Sequence, residues 1–269
     1  MSAKADDATN FSRVDQTRDP KFFIEFLEAR KTVEGEREVK ELIIELLAPK
    51  RGARVLDIGC GLGDDARGIA GIVGPDGHVV GIDPSETMIA ESKKRASGSA
   101  LPVEFLTGDA RKLDFPDASF DLVRTDRVLM FVPEIEQAIS EIVRVLRPGG
   151  RAVASELDFE MHFTDSHFPE TGRKVSSVFA ACQAQPQLGR QLHRLFAERG
   201  LRKVKSVPRL LRTPYKTFRK LLDGFLAAAV ARGQLVESEI TAWLNDLAAL
   251  DDAGLFNNGV MVFTASGEK

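Results

Sequence analysis

Five short apolar runs, ARVLDI, HVVGID, VEFLTG, FDLVRT and RAVASELD, recur along the first two thirds of this chain. Each is too short for a helix and too uniformly apolar for a strand with one wet face. Most are separated by helical patterns such as DDARGIAGIV and SETMIAESKKRA. Runs buried on both faces and joined by helices make a parallel sheet covered on both sides. Such crossovers are right-handed, so the expected fold is a doubly wound, Rossmann-like α/β sheet. A chain of 269 residues holds one such domain with an elaboration.

Residues 1–15 read as a loose polar leader. After Pro20 a helix carries Phe22, Phe23, Phe26 and Leu27 on one face. A second helix spans roughly 35–48, with Val39, Leu42, Ile43, Leu46 and Leu47 as its stripe, and Pro49 and Gly52 end it. A further helix over 134–147 stops at RPGG. In the last third, FAERGLRKVKSV reads as a helix end, a Gly cap and a strand, and GVMVFTAS as a final strand. Between them, 208–256 is almost wholly helical in pattern. The domains expected are a leader and lid helix (1–34), a core (35–207 with 257–269) and a helical insert (208–256) acting as substrate cap or oligomer interface.

The first strand runs into VLDIGCGLGDD, residues 55–65. In a doubly wound sheet, ligands bind beyond the carboxyl ends of the strands, at this first turn. Glycine admits positive φ and close backbone approach. The dinucleotide fingerprint GxGxxG fails here, because Asp64 stands where its third glycine belongs; the pattern is DxGxGxG from Asp57 to Gly63. With Asp57, Asp64 and Asp65 around it and no neighbouring Lys in sequence, the loop suits a cationic ligand better than a pyrophosphate. Asp83 ends the next strand, where an acid can accept both hydroxyls of a ribose. Asp109 ends the one after, where an acid beside a backbone N–H can read the amino edge of adenine.

The segments VLDIGCGLG, VVGIDPSETMI, EFLTGDARKLDFPDASFDLV and EIVRVLRPGGRAV, in that order over roughly 35–158, resemble class I S-adenosylmethionine-dependent methyltransferases, in the group of small-molecule and quinone C-methyltransferases. The resemblance implies a seven-stranded sheet with its last strand antiparallel. It implies S-adenosylmethionine as cofactor and a small-molecule methyl acceptor. It also assigns cofactor roles. Asp57 orders the glycine loop; Gly59, Cys60 and Gly61 bring backbone to the amino group. Asp83 holds the ribose, Pro84 and Met88 pack on adenine, and Asp109 and Ala110 meet its amino edge. Thr125 offers backbone to the methionine moiety.

Other classes are disfavoured. A net charge of -3 with interspersed signs does not suit a protein that grips nucleic-acid phosphates. The Pro-Cys pair of cysteine-dependent nucleic-acid methyltransferases is absent, and TDRVLMFV replaces the Asn/Asp-Pro-Pro-aromatic run of amino-group enzymes. No run approaches the ~20 apolar residues of a membrane span. Two cysteines without CxxC spacing fit a cytoplasmic protein with no metal site. Asp57 and Asp64 could serve as turn and cap residues alone, but the three companion segments favour cofactor roles. His162, in DFEMHFTDSHFPE after the fifth strand, is the candidate general base; as a bland alternative it is one residue of a solvated loop. Phe residues flanking the presumed pocket are ordinary core or the wall of an apolar acceptor chamber. The expected activity is methyl transfer to C, O or N of a small, largely apolar molecule. The alternatives are a quinone or menaquinone-type C-methyltransferase, and a non-catalytic cofactor-binding partner subunit. A homo-oligomer is compatible with all three.

Overall fold

The computed structural model describes residues 8–269, with side chains from residue 11 onward. One sheet holds β1 (Arg54–Ile58), β2 (His78–Asp83), β3 (Val103–Thr107), β4 (Phe120–Asp126), β5 (Leu146–Thr164), β6 (Arg202–Leu211) and β7 (Asn258–Glu268). Their spatial order is β3-β2-β1-β4-β5-β7-β6. β1 to β5 are mutually parallel, and β7 runs antiparallel between β5 and β6. The expected doubly wound sheet with a reversed last strand is therefore present. The chain winds outward from β1 through β2 to β3, then crosses back to β4. This reversal opens a crevice beyond the ends of β1 and β4.

Strand alternation explains the two helical layers. Leu56, Ile58, Val80 and Ile82 pack with α5 (Ile135–Val145) and α7 (Leu188–Glu198). Val55, Val79 and Leu122 face the other way, onto α2 (Glu36–Leu47) and α3 (Asp64–Val73). α1 (Lys21–Arg30) and α4 (Glu86–Ala96) meet in a smaller cluster, Phe23 against Met88. A further core joins α6 (Pro169–Ala180), α8 (Tyr215–Ala231) and α9 (Glu237–Asp252) around Trp243, Phe218 and Phe225. Among the described residues no helix is long and apolar enough to cross a membrane.

Three expectations about local structure need correction. The leader is a 3-10 helix from Ala8 to Gln16, while residues 1–7 lie outside the described residues. Its Asp15 accepts hydrogen bonds from the Glu86 N–H and the Ser85 hydroxyl, both at 2.8 Å. A carboxylate there complements the free N–H groups at the start of α4. Second, the segment after Asp158, expected as a loop, continues β5 to Thr164. A register shift between Asp158 and His162 absorbs the extra residues, and pairing with β7 resumes at His162↔Val260. Charged and histidine residues hid this strand from an apolar pattern. Third, the helical pattern expected from 208 begins at Tyr215, because pairing with β7 holds β6 extended to Leu211.

Candidate functional site

Beyond the strand ends lies a cavity of about 490 Å3. Its wall takes residues from the ends of β3, β2, β1, β4 and β5, so neighbouring contributions are spaced by the strand separation of about 4.8 Å. Gly108, Asp83, Gly59, Asp126 and His162 mark the successive positions along this row.

The glycine loop is built for close approach. Gly59 has φ +70°, and a Cβ there would lie 2.1 Å from Val128 Cγ2. Gly61, at φ +51°, reaches the cavity wall and donates its N–H to Asp83 Oδ2 at 3.0 Å. Asp83 Oδ1 accepts the Ser85 N–H at 2.9 Å. Burial raises the Asp83 pKa to about 6, against the pull of these two N–H donors. Each carboxylate oxygen retains capacity for another bond, so Asp83 can still accept from a diol. Pro84, Met88 and Ala110 also line the cavity. Asp109 lines it too, but its carboxylate is gripped by Arg111, whose Nε and Nη2 donate to Oδ2 at 3.0 and 2.7 Å.

Three of the residues expected at the cofactor are not on this wall. Cys60 is buried, and burial pushes its thiol pKa well up. Thr125 is enclosed in the sheet between Ile58 and Ala154. Asp57 sits behind the glycine loop, where Arg124 Nη1 donates to its Oδ1 at 2.9 Å. Burial raises its pKa to about 6 even so.

Asp57 belongs to a network that corrects the charge argument for the loop. Arg124 also pairs with Asp65 at 3.0 Å, and Lys40 joins Asp65 to Asp126. Asp64 is paired with Lys31 and Arg67. The loop acids are thus matched by cations distant in sequence and present no uncompensated negative field. Arg127 completes the network, donating to both oxygens of Glu36 at 2.7 and 2.8 Å and to Asp126 at 2.8 Å. Burial alone would raise Asp126, but Arg127, Lys40 and Arg124 hold its carboxyl far below the usual range. Arg127 keeps a left-handed φ of 56°, a strained state that persists only when surroundings impose it. Arg30, Glu36, Asp126 and Arg127 all reach the cavity wall. Sequence reasoning missed these groups, although Asp126 and Arg127 directly follow FDLVRT.

Glu156 was missed as well. It is fully buried in β5, and its carboxylate accepts the N–H groups of Val128 (3.1 Å), Leu129 (2.9 Å) and Met130 (3.3 Å). It thereby fixes the turn that presses Val128 onto Gly59 and carries Met130 and Phe131 to the cavity. A lone acid inside the apolar run AVASEL was its only sequence signal. Burial raises the Glu156 pKa from 4.5 to about 8, against three N–H donors. A raised carboxyl pKa means that the folded state holds the proton more tightly, so stability falls as pH rises through that window. The stability of Glu156→Gln relative to wild type is therefore expected to improve with pH, by about 1 kcal/mol per unit at most, between 4.5 and about 8. Urea unfolding at both ends of the window checks this; a constant difference contradicts it.

The β5 end of the cavity is aromatic, with Phe131, Phe159, Phe179 and Phe218 on its wall. His162 is there, its ring parallel to Phe218 with centroids 6.1 Å apart. Its Nδ1 is hydrogen-bonded with Ser176 Oγ at 2.9 Å. Burial lowers its pKa to about 4, so the ring is neutral at pH 7. Among the described residues no three His, Cys, Asp or Glu side chains converge on a point where a metal could sit.

Comparison with known proteins adds a family. A model of the methyltransferase domain matches residues 49–200. An uncharacterized 37.1 kDa protein in a transposon of Streptomyces fradiae is 35% identical over 84% of this chain and 66% of its own length. The ubiquinone/menaquinone biosynthesis C-methyltransferase of Ectopseudomonas mendocina is 43% identical over 44% of this chain and 46% of its own. The chain therefore spans about half the length of this relative. Phosphoethanolamine N-methyltransferase 2 of Haemonchus contortus, solved with S-adenosyl-L-methionine, superposes with a TM-score of 0.63 at 18% identity, over 96% of this chain and 59% of that one. At that identity the likeness is one of fold.

Proposed function

This chain belongs to the S-adenosylmethionine-dependent methyltransferases, and we propose that it methylates a small, largely apolar molecule. The observation that carries this reading is the single cavity joining Asp83 and the glycine loop at one end to an aromatic chamber at the other. The fit to the cofactor is chemical. Asp83, with an open lone pair on each oxygen, suits the ribose hydroxyls, and Met88 and Pro84 suit the base. Gly61 offers bare backbone on the same cavity wall as the Arg30–Glu36–Asp126–Arg127 group, which together suit a zwitterionic amino-acid end.

When bound, S-adenosylmethionine supplies a methyl carbon on a positive sulfur, which keeps the C–S electron pair as a lone pair of the acceptor makes the new bond. The protein aligns the acceptor and excludes water. Phe159, Phe179 and Phe218 shape the chamber, and α8 contributes Leu221 and Leu222 to its wall. We assign α8 and α9, with α6 packed against them, the role of substrate cap. His162 is a poor general base at neutral pH, because burial has already lowered its proton affinity.

His162→Ala is expected to reduce kcat by less than about tenfold, while Phe218→Asp, a charge in the chamber wall, abolishes turnover. Both are expected to bind S-adenosylmethionine within about threefold of wild type. A large kcat loss for His162→Ala at intact cofactor affinity would make it the base after all. Retained turnover in Phe218→Asp would move the acceptor elsewhere. A quinone-type C-methylation is the second reading, supported by the quinone methyltransferase similarity; a product methyl bonded to carbon by NMR distinguishes it. A cytoplasmic location is part of the proposal, supported by a cysteine content of only two with no CxxC spacing.

A further inference from the structure

The acceptor end of the cavity has an unusual charge distribution. Of the charged wall residues, Arg30, Glu36, Asp126 and Arg127 lie on the β1–β4 side and are matched to one another, Asp83, Asp109 and Arg111 lie at the β2–β3 end, and Arg13 reaches the wall from the N-terminal 3-10 helix. From β5 onward the described wall is made of apolar side chains with Ser176, Gln183, Thr213 and a neutral His162. None of these side chains from β5 onward carries a formal charge that would balance a charged ligand. Burying an unpaired carboxylate or ammonium costs several kcal/mol or more.

One polar side chain in this wall is left without partners. Gln183 is 8% exposed and follows the last turn of α6, its own N–H donating to Ala180 O at 3.0 Å. Both Nε2 and Oε1 of its amide are buried, and neither has a hydrogen-bond partner. By contrast Gln185, two residues on, spends its amide on the Pro133 carbonyl at 2.9 Å. A buried donor or acceptor left unsatisfied costs about 1–3 kcal/mol, and no hydrogen bond ties the Gln183 amide to the protein. Both its donor and its acceptor remain available to an occupant of the cavity it lines.

We infer that Gln183 reads the methyl acceptor, which is an uncharged molecule presenting a hydrogen-bond donor next to an acceptor, as a carboxamide, lactam or hydroxy-ketone does. This rests on the methyltransferase reading and narrows its substrate class. A side-chain amide offers a donor and an acceptor at once, so a partner of the same kind satisfies both. A ligand with an acceptor only leaves Oε1 unpaired. A carboxylate leaves Oε1 unpaired and adds an uncompensated charge.

The test uses three naphthalenes that differ in one substituent: 2-naphthamide, 2-acetonaphthone and 2-naphthoate. Each is titrated by calorimetry into the full chain saturated with S-adenosylhomocysteine, for wild type, Gln183→Met and Gln183→Leu. Wild type is expected to bind the amide about tenfold tighter than the ketone or the carboxylate. Both variants keep their S-adenosylhomocysteine affinity, which shows them folded, and lose the preference for amide over ketone. A preference unchanged in the variants overturns the proposal. So does tighter binding of the carboxylate, or no measurable binding of the amide by wild type. Failure of the underlying reading is distinguishable, because wild type would then not bind S-adenosylhomocysteine in the first titration.

Discussion

Asp83→Ala is expected to weaken S-adenosylmethionine binding by about a hundredfold. A hydrogen bond to a charged group contributes about 1.5–3 kcal/mol, and two ribose hydroxyls would be stranded together. Water replaces part of that, which leaves about 3 kcal/mol. Asp83→Asn keeps one acceptor oxygen and is expected to fall between. The effect has a pH signature. Burial raises the Asp83 pKa to about 6, so a protonated Asp83 at lower pH has lost acceptor capacity. Wild-type affinity is expected to decline as pH falls below about 6, while that of Asp83→Ala stays flat. Titration calorimetry at several pH values checks both statements. Unchanged affinity in a folded Asp83→Ala protein would mean that another residue holds the ribose.

Arg124→Ala is expected to have the largest effect on stability. Arg124 is 2% exposed and pairs with Asp57, Asp65 and Asp126. Burial disfavours its charge, but these three acids more than offset that and raise its pKa. Removing it leaves Asp57 buried with no cation in contact. Breaking a buried ion pair from one side costs about 3–5 kcal/mol, out of a total stability of about 5–15 kcal/mol. The deficit is expected to narrow toward low pH, because an Asp57 without Arg124 takes up a proton and ceases to be a buried charge. Urea unfolding at neutral and mildly acidic pH measures this. A loss below about 1 kcal/mol at neutral pH would show that water or Lys40 compensates Asp57 without Arg124.

The sheet was legible because its strands are apolar on both faces, and Val55, Leu56 and Ile58 need no distant partner to reveal burial. Asp83 was legible because strand and turn fix its place locally. The ion network was not, since Arg124 and Asp57 are far apart in sequence and meet only through the β1–β4 pairing. Without that pairing, the acids around the glycine loop look unpaired. The continuation of β5 past Asp158 was hidden for a related reason: Glu160 pairs with Arg190 and His162 with Ser176, contacts that no periodicity records. Gln183 carries no sequence signal, because an amide beside a helix end is ordinary until its surroundings are known.

The central claim is that one cavity brings S-adenosylmethionine to a neutral apolar acceptor. The most direct test incubates the protein with methyl-labelled S-adenosylmethionine and a small-molecule extract of its host, then partitions the products at neutral pH. The label is expected in the organic phase, in a compound that does not ionise at that pH and that disappears with Asp83→Ala. Label retained only in charged, water-soluble products would contradict the account.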